Sequence, residues 1–391
     1  MRLLACPSVL ADHVAVGEAM NKAKVFVIAR DYGACTHIRM RQVARKMQEQ
    51  NIVNTMILDV GQTVPEANHM MSNGMVNADI VWFGRSVSES VICHTKKLQE
   101  LGKKIIIDLD DFIFNVSPWS AHYDLFGTEE FYCDGKPVWK DKVNINLANN
   151  KKSLKEYHTL LGSVDALSVT TPRLMESFKP YTKKIFVFPN SIDTSIWNYG
   201  QPMRRNPNEV RILWQGGVSH YEDFWQIKEV IPAITKKYPQ VKWVMMGAKW
   251  DFFWKDIPKD RMEYHGWVHM EAYPHVLKLL APDIGVCPLA DTVFNRAKSS
   301  IKYYEHGALS IPTVASNVPP YCDDIKDGRN GYLASSAEEW VVKLSRLIED
   351  SVERSRMGGE ARRYVDENRS LEVVAPLVAK AMGAFVNGKT H

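Results

Sequence analysis

Two α/β domains, each built on an open parallel sheet and facing the other across a deep cleft, are what this sequence predicts. Three observations lead there. Short apolar, β-branched runs alternate with helically spaced segments through the chain. The arrangement repeats after a polar break near the middle. The length of 391 residues suits two domains. A hydrophobic content of 45% and a charged content of 24% are those of an ordinary globular enzyme with room for a sizeable core.

In the first half, strands are predicted at 25–29, 54–59, 79–83, 104–109, 166–169 and 185–188. Each is short and nearly continuous in apolar residues, as strands covered on both faces are. Segments 36–49 and 88–101 between them have helical spacing. This first domain is assigned to 1–195. Within it, 117–151 is set apart by Trp119, Tyr123, Phe126, Phe131, Tyr132 and Trp139. Such aromatics either stack on sugar rings or bases, or pack against their own domain. The stretch 190–208, with Pro202, Pro207, Arg204 and Arg205, is an exposed hinge, and the linker proper is 196–208. The second domain, 209–370, has predicted strands at 210–214, 242–246, 283–287 and 312–315. Ser335-Ser336-Ala337-Glu338 is a capping-box signature opening a helix. A further helix, interrupted at Gly358-Gly359, runs to about Asn368. A last one, within 371–391, is placed to pack back on the first domain.

The net charge of +4 is compatible with a polyanionic partner without requiring one. Six cysteines, with no Cys-x-x-Cys spacing, indicate free thiols in a reducing compartment, not a disulfide framework or a zinc site. No apolar run reaches transmembrane length. Leu3-Leu4-Ala5-Cys6 lacks the charged and hydrophobic lead-in of a cleaved lipoprotein leader, so a short N-terminal extension and a cytoplasmic location are expected.

The most informative stretch is Phe294-Asn295-Arg296-Ala297-Lys298-Ser299-Ser300-Ile301-Lys302-Tyr303-Tyr304-Glu305. It follows a strand and opens a helix, so unpaired backbone N–H groups and the positive end of the helix dipole favour an anion there. Lys298 and Lys302 add point charge suited to phosphate. Glu305, about two turns in, can accept hydrogen bonds from sugar hydroxyls. The pattern describes a seat for a nucleoside diphosphate.

These motifs resemble the large retaining glycosyltransferase family of the GT-B fold, related to sucrose synthases and bacterial mannosyltransferases. The resemblance spans roughly residues 24 to 370. It is carried by Ser168-Val169-Thr170-Thr171-Pro172, Phe188-Pro189-Asn190-Ser191-Ile192-Asp193, Leu213-Trp214-Gln215-Gly216-Gly217, Ile311-Pro312-Thr313-Val314-Ala315-Ser316 and Asp327-Gly328-Arg329-Asn330-Gly331-Tyr332-Leu333. Each passage is weak alone; their order and spacing are specific. The resemblance implies metal-independent transfer of a sugar from a UDP- or GDP-sugar, with no other cofactor. It assigns Glu305 to the nucleotide ribose. The family's first donor-contacting glutamate falls on Ala297, a departure for which Lys298 and Ser299 are the nearest substitutes. Family members with a lysine-serine pair here also carry a histidine after the glycine turn, as in Ser219-His220.

The donor-binding set is therefore Gly216, Gly217, His220, Lys298, Ser299, Lys302 and Glu305. The catalytic set is Asp110, Asp111 and Lys298, the carboxylates orienting or deprotonating an acceptor hydroxyl. Acceptor contacts are assigned to Arg30, Gly33, Arg85 and Trp119. Asp108-Leu109-Asp110 is literally an Asp-x-Asp metal motif, but no metal site is expected in this architecture. The acceptor is read as a glycan or lipid-linked sugar. Hydroxymethylated pyrimidines in DNA, as in phage enzymes, are the alternative, with Trp119 or Trp139 stacking on a flipped base. A nucleotide-sugar isomerase on the same fold would need no acceptor at all.

Overall fold

The computed structural model describes residues 22–29, 33–59, 64–120, 122–133, 136–137, 145–197, 206, 208–250, 254–255 and 257–388. Arg30 and Trp139 lie outside them, as do 198–205 and 207 of the linker.

The first sheet holds β1 (Lys24–Ala29), β2 (Asn54–Asp59), β3 (Ile80–Phe83), β4 (Lys104–Asp108), β7 (Ala166–Val169) and β8 (Ile185–Val187) in the order β2-β1-β3-β4-β7-β8. A small hairpin, β5 (Tyr132–Cys133) and β6 (Lys136–Pro137), lies in the aromatic insertion. The second sheet holds β9 (Val210–Gly216), β10 (Val241–Gly247), β11 (Met262–His265), β12 (Ile284–Cys287), β13 (Thr313–Ser316) and β14 (Tyr332–Ala334), ordered β11-β10-β9-β12-β13-β14. All pairings in both sheets are parallel. Parallel strands need covering helices on both faces, which is why β3, β7, β12 and β13 are buried at every residue.

Strand order reverses between β1 and β3 in the first sheet and between β9 and β12 in the second. Crossover helices leave on opposite faces at such a point, so a crevice opens at the strands' carboxyl ends. Gly84 and Arg85 follow β3; Gly216 ends β9 and Gly217 follows it.

Two local expectations shift. The capping box sits one residue later: Ser336 accepts from Glu339 N, and Glu339 reaches back to Ser335 N at 2.7 Å. Gly358-Gly359 does not interrupt its helix, which runs unbroken over Ser351–Asn368. Gly358 is there for packing: a Cβ would stand 2.0 Å from the Ser310 carbonyl oxygen. The helix Leu371–Val386 buries Leu371, Val374, Ala375, Val378 and Met382 in the core formed by β1 and the helix Gln42–Glu49. Among the described residues, no helix is long and apolar enough to cross a membrane.

Candidate functional site

The site begins at the β9 switch point. A side chain at Gly216 would collide with Trp214 at 2.9 Å, His220 at 3.1 Å and Lys302 at 3.2 Å. Gly216 O accepts from Ala248 N at 2.8 Å, a contact that Gly247 permits by its φ of +102°. The turn therefore presents bare backbone to the cleft. Beside it, the helix Ile301–Ala308 starts at Ser300, whose side chain makes no capping bond and whose buried hydroxyl has no partner. The first-turn N–H groups are thus left uncapped at the positive end of the dipole, which favours an anion. Lys298 and Ser299 lie in the turn just before this helix, and Lys302 is its second residue. Glu305 is its fifth residue, a little over one turn in, because the helix begins at Ile301 and not at Phe294.

A relay fixes Lys302. Asp223 is buried and accepts from Ala290 N at 2.9 Å and Asn295 Nδ2 at 2.7 Å. Its other oxygen accepts from His220 Nδ1 at 2.6 Å. Burial, followed by the Lys302 charge, pushes His220 down to about 3, so the ring is neutral and its Nε2 carries a lone pair. Lys302 Nζ donates to that lone pair at 2.8 Å. Lys302 is itself lowered, first by burial and then by Lys298. His220 thus holds the lysine, which in turn can face a phosphate. Asp223, not singled out in the sequence, sets the tautomer; only its spacing of three from His220 on a helical turn hinted at it.

Glu305 is buried and accepts from Tyr273 Oη at 2.9 Å and, more loosely, from Gln215 Nε2 at 3.4 Å. Burial raises its carboxyl to about 6 against the lowering by Tyr273, Lys302 and Gln215. His306 fixes Gln215, pairing with its Oε1 at 3.0 Å and with Thr313 Oγ1 at 2.9 Å. Trp267, also missed in the sequence, is 70% exposed, and a Cβ on Gly217 would meet its ring at 3.5 Å. It offers an aromatic face beside the glycine turn.

The N-terminal domain brings up its own cluster. Asp110, just past β4, is held below its usual range by Arg85, by a hydrogen bond from the Cys35 thiol and by Arg39, against the opposing effect of burial. Cys35 is correspondingly raised well above a normal thiol by burial and Asp110. His122 lies 4.0 Å from Asp111 and is lowered by burial, by Arg85 and by Lys298 of the other domain. Asp110, Asp111, Arg85 and Lys298 thus converge around His122. Gly33 caps the short helix Ala34–Thr36 from an exposed position. Trp119 does not stand free: it stacks on Tyr221 of the second domain with centroids 6.0 Å apart and meets Phe131 edge-on. Tyr123 and Phe126 pack within their own domain, Phe126 edge-on to Tyr157.

Asp108 is not part of an open Asp-x-Asp pair. Arg39 Nε and Nη2 each donate to its carboxylate at 2.6 Å, and Ser168 Oγ donates at 2.6 Å. Arg39 also donates to Phe188 O at 2.8 Å and Asn190 Oδ1 at 3.0 Å, and Asn190 Nδ2 donates to Ser299 Oγ at 2.6 Å. Ala297, where the family's first glutamate would stand, is buried in the first domain's core, and its carbonyl accepts from Thr171 Oγ1 at 2.9 Å.

The geometry has counterparts in known proteins. The family model described as "Glycosyl transferases group 1" matches residues 209–350. That segment is a glycosyl transferases group 1 domain. The curated relative spore coat protein SA of Bacillus subtilis (strain 168) is 24% identical over 185 residues, covering 42% of this chain and 46% of the relative. The match therefore spans about half the length of that relative. Among solved structures, a sucrose-phosphate synthase from Thermosynechococcus elongatus aligns with a TM-score of 0.61 at 12% identity, over 94% of this chain and 100% of that one. HepE of Anabaena, solved with UDP and glucose, aligns with a TM-score of 0.59 at 11% identity over 93% of this chain and 100% of that one. The chain has the GT-B fold over its described residues, with the group 1 match lying in its second domain.

Proposed function

We propose that this protein is a glycosyltransferase that moves a sugar from a nucleoside-diphosphate sugar to an acceptor hydroxyl with retention of configuration. The observation that carries the reading is the Asp223–His220–Lys302 relay beside an uncapped helix start. Neutral His220 and buried Asp223 have no structural need of a lysine, yet they aim its ammonium at the glycine turn. With Lys298 and the dipole, Lys302 neutralises charge gathering on a departing diphosphate. Glu305 accepts from ribose hydroxyls, and Trp267 supplies a face for the base. UDP is the donor nucleotide favoured here, because HepE, of the same fold, is solved with UDP.

The acceptor side is the Arg85, Asp110, Asp111 and His122 cluster. Asp110 is held ionised, so it orients an acceptor hydroxyl more readily than it takes its proton. Neither cysteine of the site is a ready nucleophile: burial pushes the Cys287 thiol to about 12, and Cys35 is also raised. That argues against a covalent intermediate on a thiol. A glycan or lipid-linked acceptor is favoured over DNA because Trp119 is spent on Tyr221 and Glu129 and Glu130 of the same insertion are exposed carboxylates. Titrating the protein with UDP by calorimetry, then assaying UDP release from candidate UDP-sugars, tests the reading. Binding that is lost in Lys302→Ala supports it; UDP binding unaffected by that change overturns it.

A further inference from the structure

A cavity of about 590 Å³ opens in the first domain beside this acceptor cluster. Its floor is the sheet, at Ile28, Val81 and Ile105; its roof is formed by Met71 and Met75 of the helix Val64–Asn77 and by Val91 of the helix Glu89–Glu100. The space shows in the burial of the core. Ile28 lies on β1, an interior strand flanked by β2 and β3, yet it is only half-buried while its neighbours Val27 and Ala29 are fully covered. Met71, Met75 and Val91 are likewise left part-exposed around the same core.

The cavity has a direction. From the level of Val81, paired with Ile105, it extends along β3 to Gly84 and Arg85 at the strand's carboxyl end. Four residues of strand at about 3.3 Å each give a depth of roughly 13 Å. One end lies at the β1–β3 switch point, where Arg85 faces Asp110 and Asp111, and the exposed Ser90 and His94 line a side that meets solvent. The walls are mostly apolar; Ser86 and, on the helix Glu89–Glu100, Ser90, His94 and Thr95 add polar groups, and Arg85 brings a guanidinium to the end by the cleft. A mostly apolar slot with a cation at its rim suits a linear hydrocarbon chain whose polar end stays in the cleft.

We propose that this cavity receives the hydrocarbon chain of a lipid-type acceptor, which places the acceptor's polar head at Arg85 and its reactive hydroxyl beside Asp110. The assignment of the chain to an acceptor rests on the glycosyltransferase reading above; the existence of a hydrocarbon site does not. Neither a free glycan nor a base in DNA needs such a slot.

Straight-chain alkyl phosphates from butyl to dodecyl, each below its micelle concentration, are the probe, titrated calorimetrically into the full chain. Affinity is expected to rise about fourfold per added methylene, the value for burying one CH₂, and then to level once the slot is full. Val91→Phe, which adds bulk to the roof, should move the plateau to shorter chains while UDP affinity and melting temperature stay close to wild type. Affinity that does not rise with length overturns the proposal. So does a rise with no plateau that Val91→Phe leaves unchanged, which is adsorption to the surface. The wild-type series alone decides the matter if the variant fails to fold. UDP titrated into the same samples keeps the two readings apart: intact UDP binding without chain-length dependence removes only the hydrocarbon site, and the reverse removes only the donor site.

Discussion

His220 acts through its neighbours. Its Nδ1–H is locked by Asp223, so its Nε2 lone pair faces Lys302. Asp223→Asn keeps the volume but offers the ring an amide, which allows the opposite tautomer and turns an N–H against the ammonium. We expect kcat to fall by at least tenfold, about 1.4 kcal/mol of transition-state stabilisation. His220→Gln should recover part of it, because its amide oxygen can accept from Lys302; equal activity in wild type and Asp223→Asn would remove the relay from the mechanism. Glu305 makes a second, pH-dependent claim. Its folded pKa of about 6 stands above the ordinary 4.5, so the apo fold binds that proton more tightly than the unfolded chain. The apo protein therefore loses stability from this group as pH rises from 4.5 through about 6. If Glu305 accepts from ribose hydroxyls, as proposed, the ionised form binds them, so UDP affinity should strengthen as pH rises toward 6 and flatten above it. The nucleotide titrates in the same range, so the difference between wild type and Glu305→Gln is the quantity to follow; identical pH profiles for the two would dissociate Glu305 from the ribose. Trp267→Ala should weaken UDP about fivefold, near 1 kcal/mol for an aromatic pair, with no change in melting temperature. Unchanged affinity would place the base elsewhere.

At the scale of elements, the two switch points decide where these side chains gather, and a short π-helical turn decides how the first domain is locked. His37–Arg41 is that turn, and it buries both Arg39 and Arg41. Such bulges reorient side chains that a regular helix would leave on other faces. Here it turns Arg39 inward onto Asp108, with side-chain exposures of 2% and 6%. Arg39→Met leaves a buried carboxylate with only Ser168 as a donor and should cost about 3–5 kcal/mol in urea unfolding. Arg39→Met combined with Asp108→Leu should recover most of that loss; if it does not, the guanidinium's bonds to Phe188 O and Asn190 are the stabilising ones. None of this was legible in the sequence, because a π turn has no periodic signature and Asp108 looked like half of an Asp-x-Asp pair. The strands were legible, since buried parallel strands are continuous apolar runs: 54–59 and 166–169 coincide with β2 and β7, and most others differ by a residue or two at an end. The strands β11 and β14 were not, because Met262-Glu263-Tyr264-His265 alternates at a sheet edge and Tyr332–Ala334 is only three residues long. In the site, the glycine turn and the lysine-serine helix start were readable as chemistry tied to one local segment. His122 and Trp267 were not, because each acquires its meaning from partners elsewhere in the chain; Asp223 sits three residues from His220, but the contacts that bury and fix it, Ala290 N and Asn295 Nδ2, are distant.

At the scale of the molecule, polar ties cross between the two domains alongside the Trp119–Tyr221 stack and the buried Ala297. Asn190 donates to Ser299, Thr171 to the carbonyl of Ala297, Ser117 to Glu222 at 2.5 Å, and Arg173 grips Asp323 with two bonds of 2.8 Å. Relative domain motion is the default expectation for domains joined within one chain. Asn190 differs from the other ties because it links both interiors: it accepts from Arg39, which anchors the first domain's core, and donates to Ser299, next to Lys298. Movement of the hinge is thereby felt at the turn that carries the donor-side lysine. Asn190→Ala removes this link while Arg39 keeps Asp108 and Phe188 O. We expect a loss of about 1–2 kcal/mol in stability, the value of two buried hydrogen bonds. The sharper expectation concerns catalysis. On the proposed reading UDP binds within the second domain, so its affinity should change less than threefold. On the same reading the catalytic step needs Asp110 and Lys298 at a fixed separation, so kcat should fall about tenfold. A thermal-shift series with UDP, run beside initial rates, separates the outcomes. Equal losses in UDP affinity and kcat would mean that Asn190 only shapes the donor pocket. Loss of kcat alone, restored in part by Asn190→Gln, would identify the tie as the element that sets the closed distance between the domains.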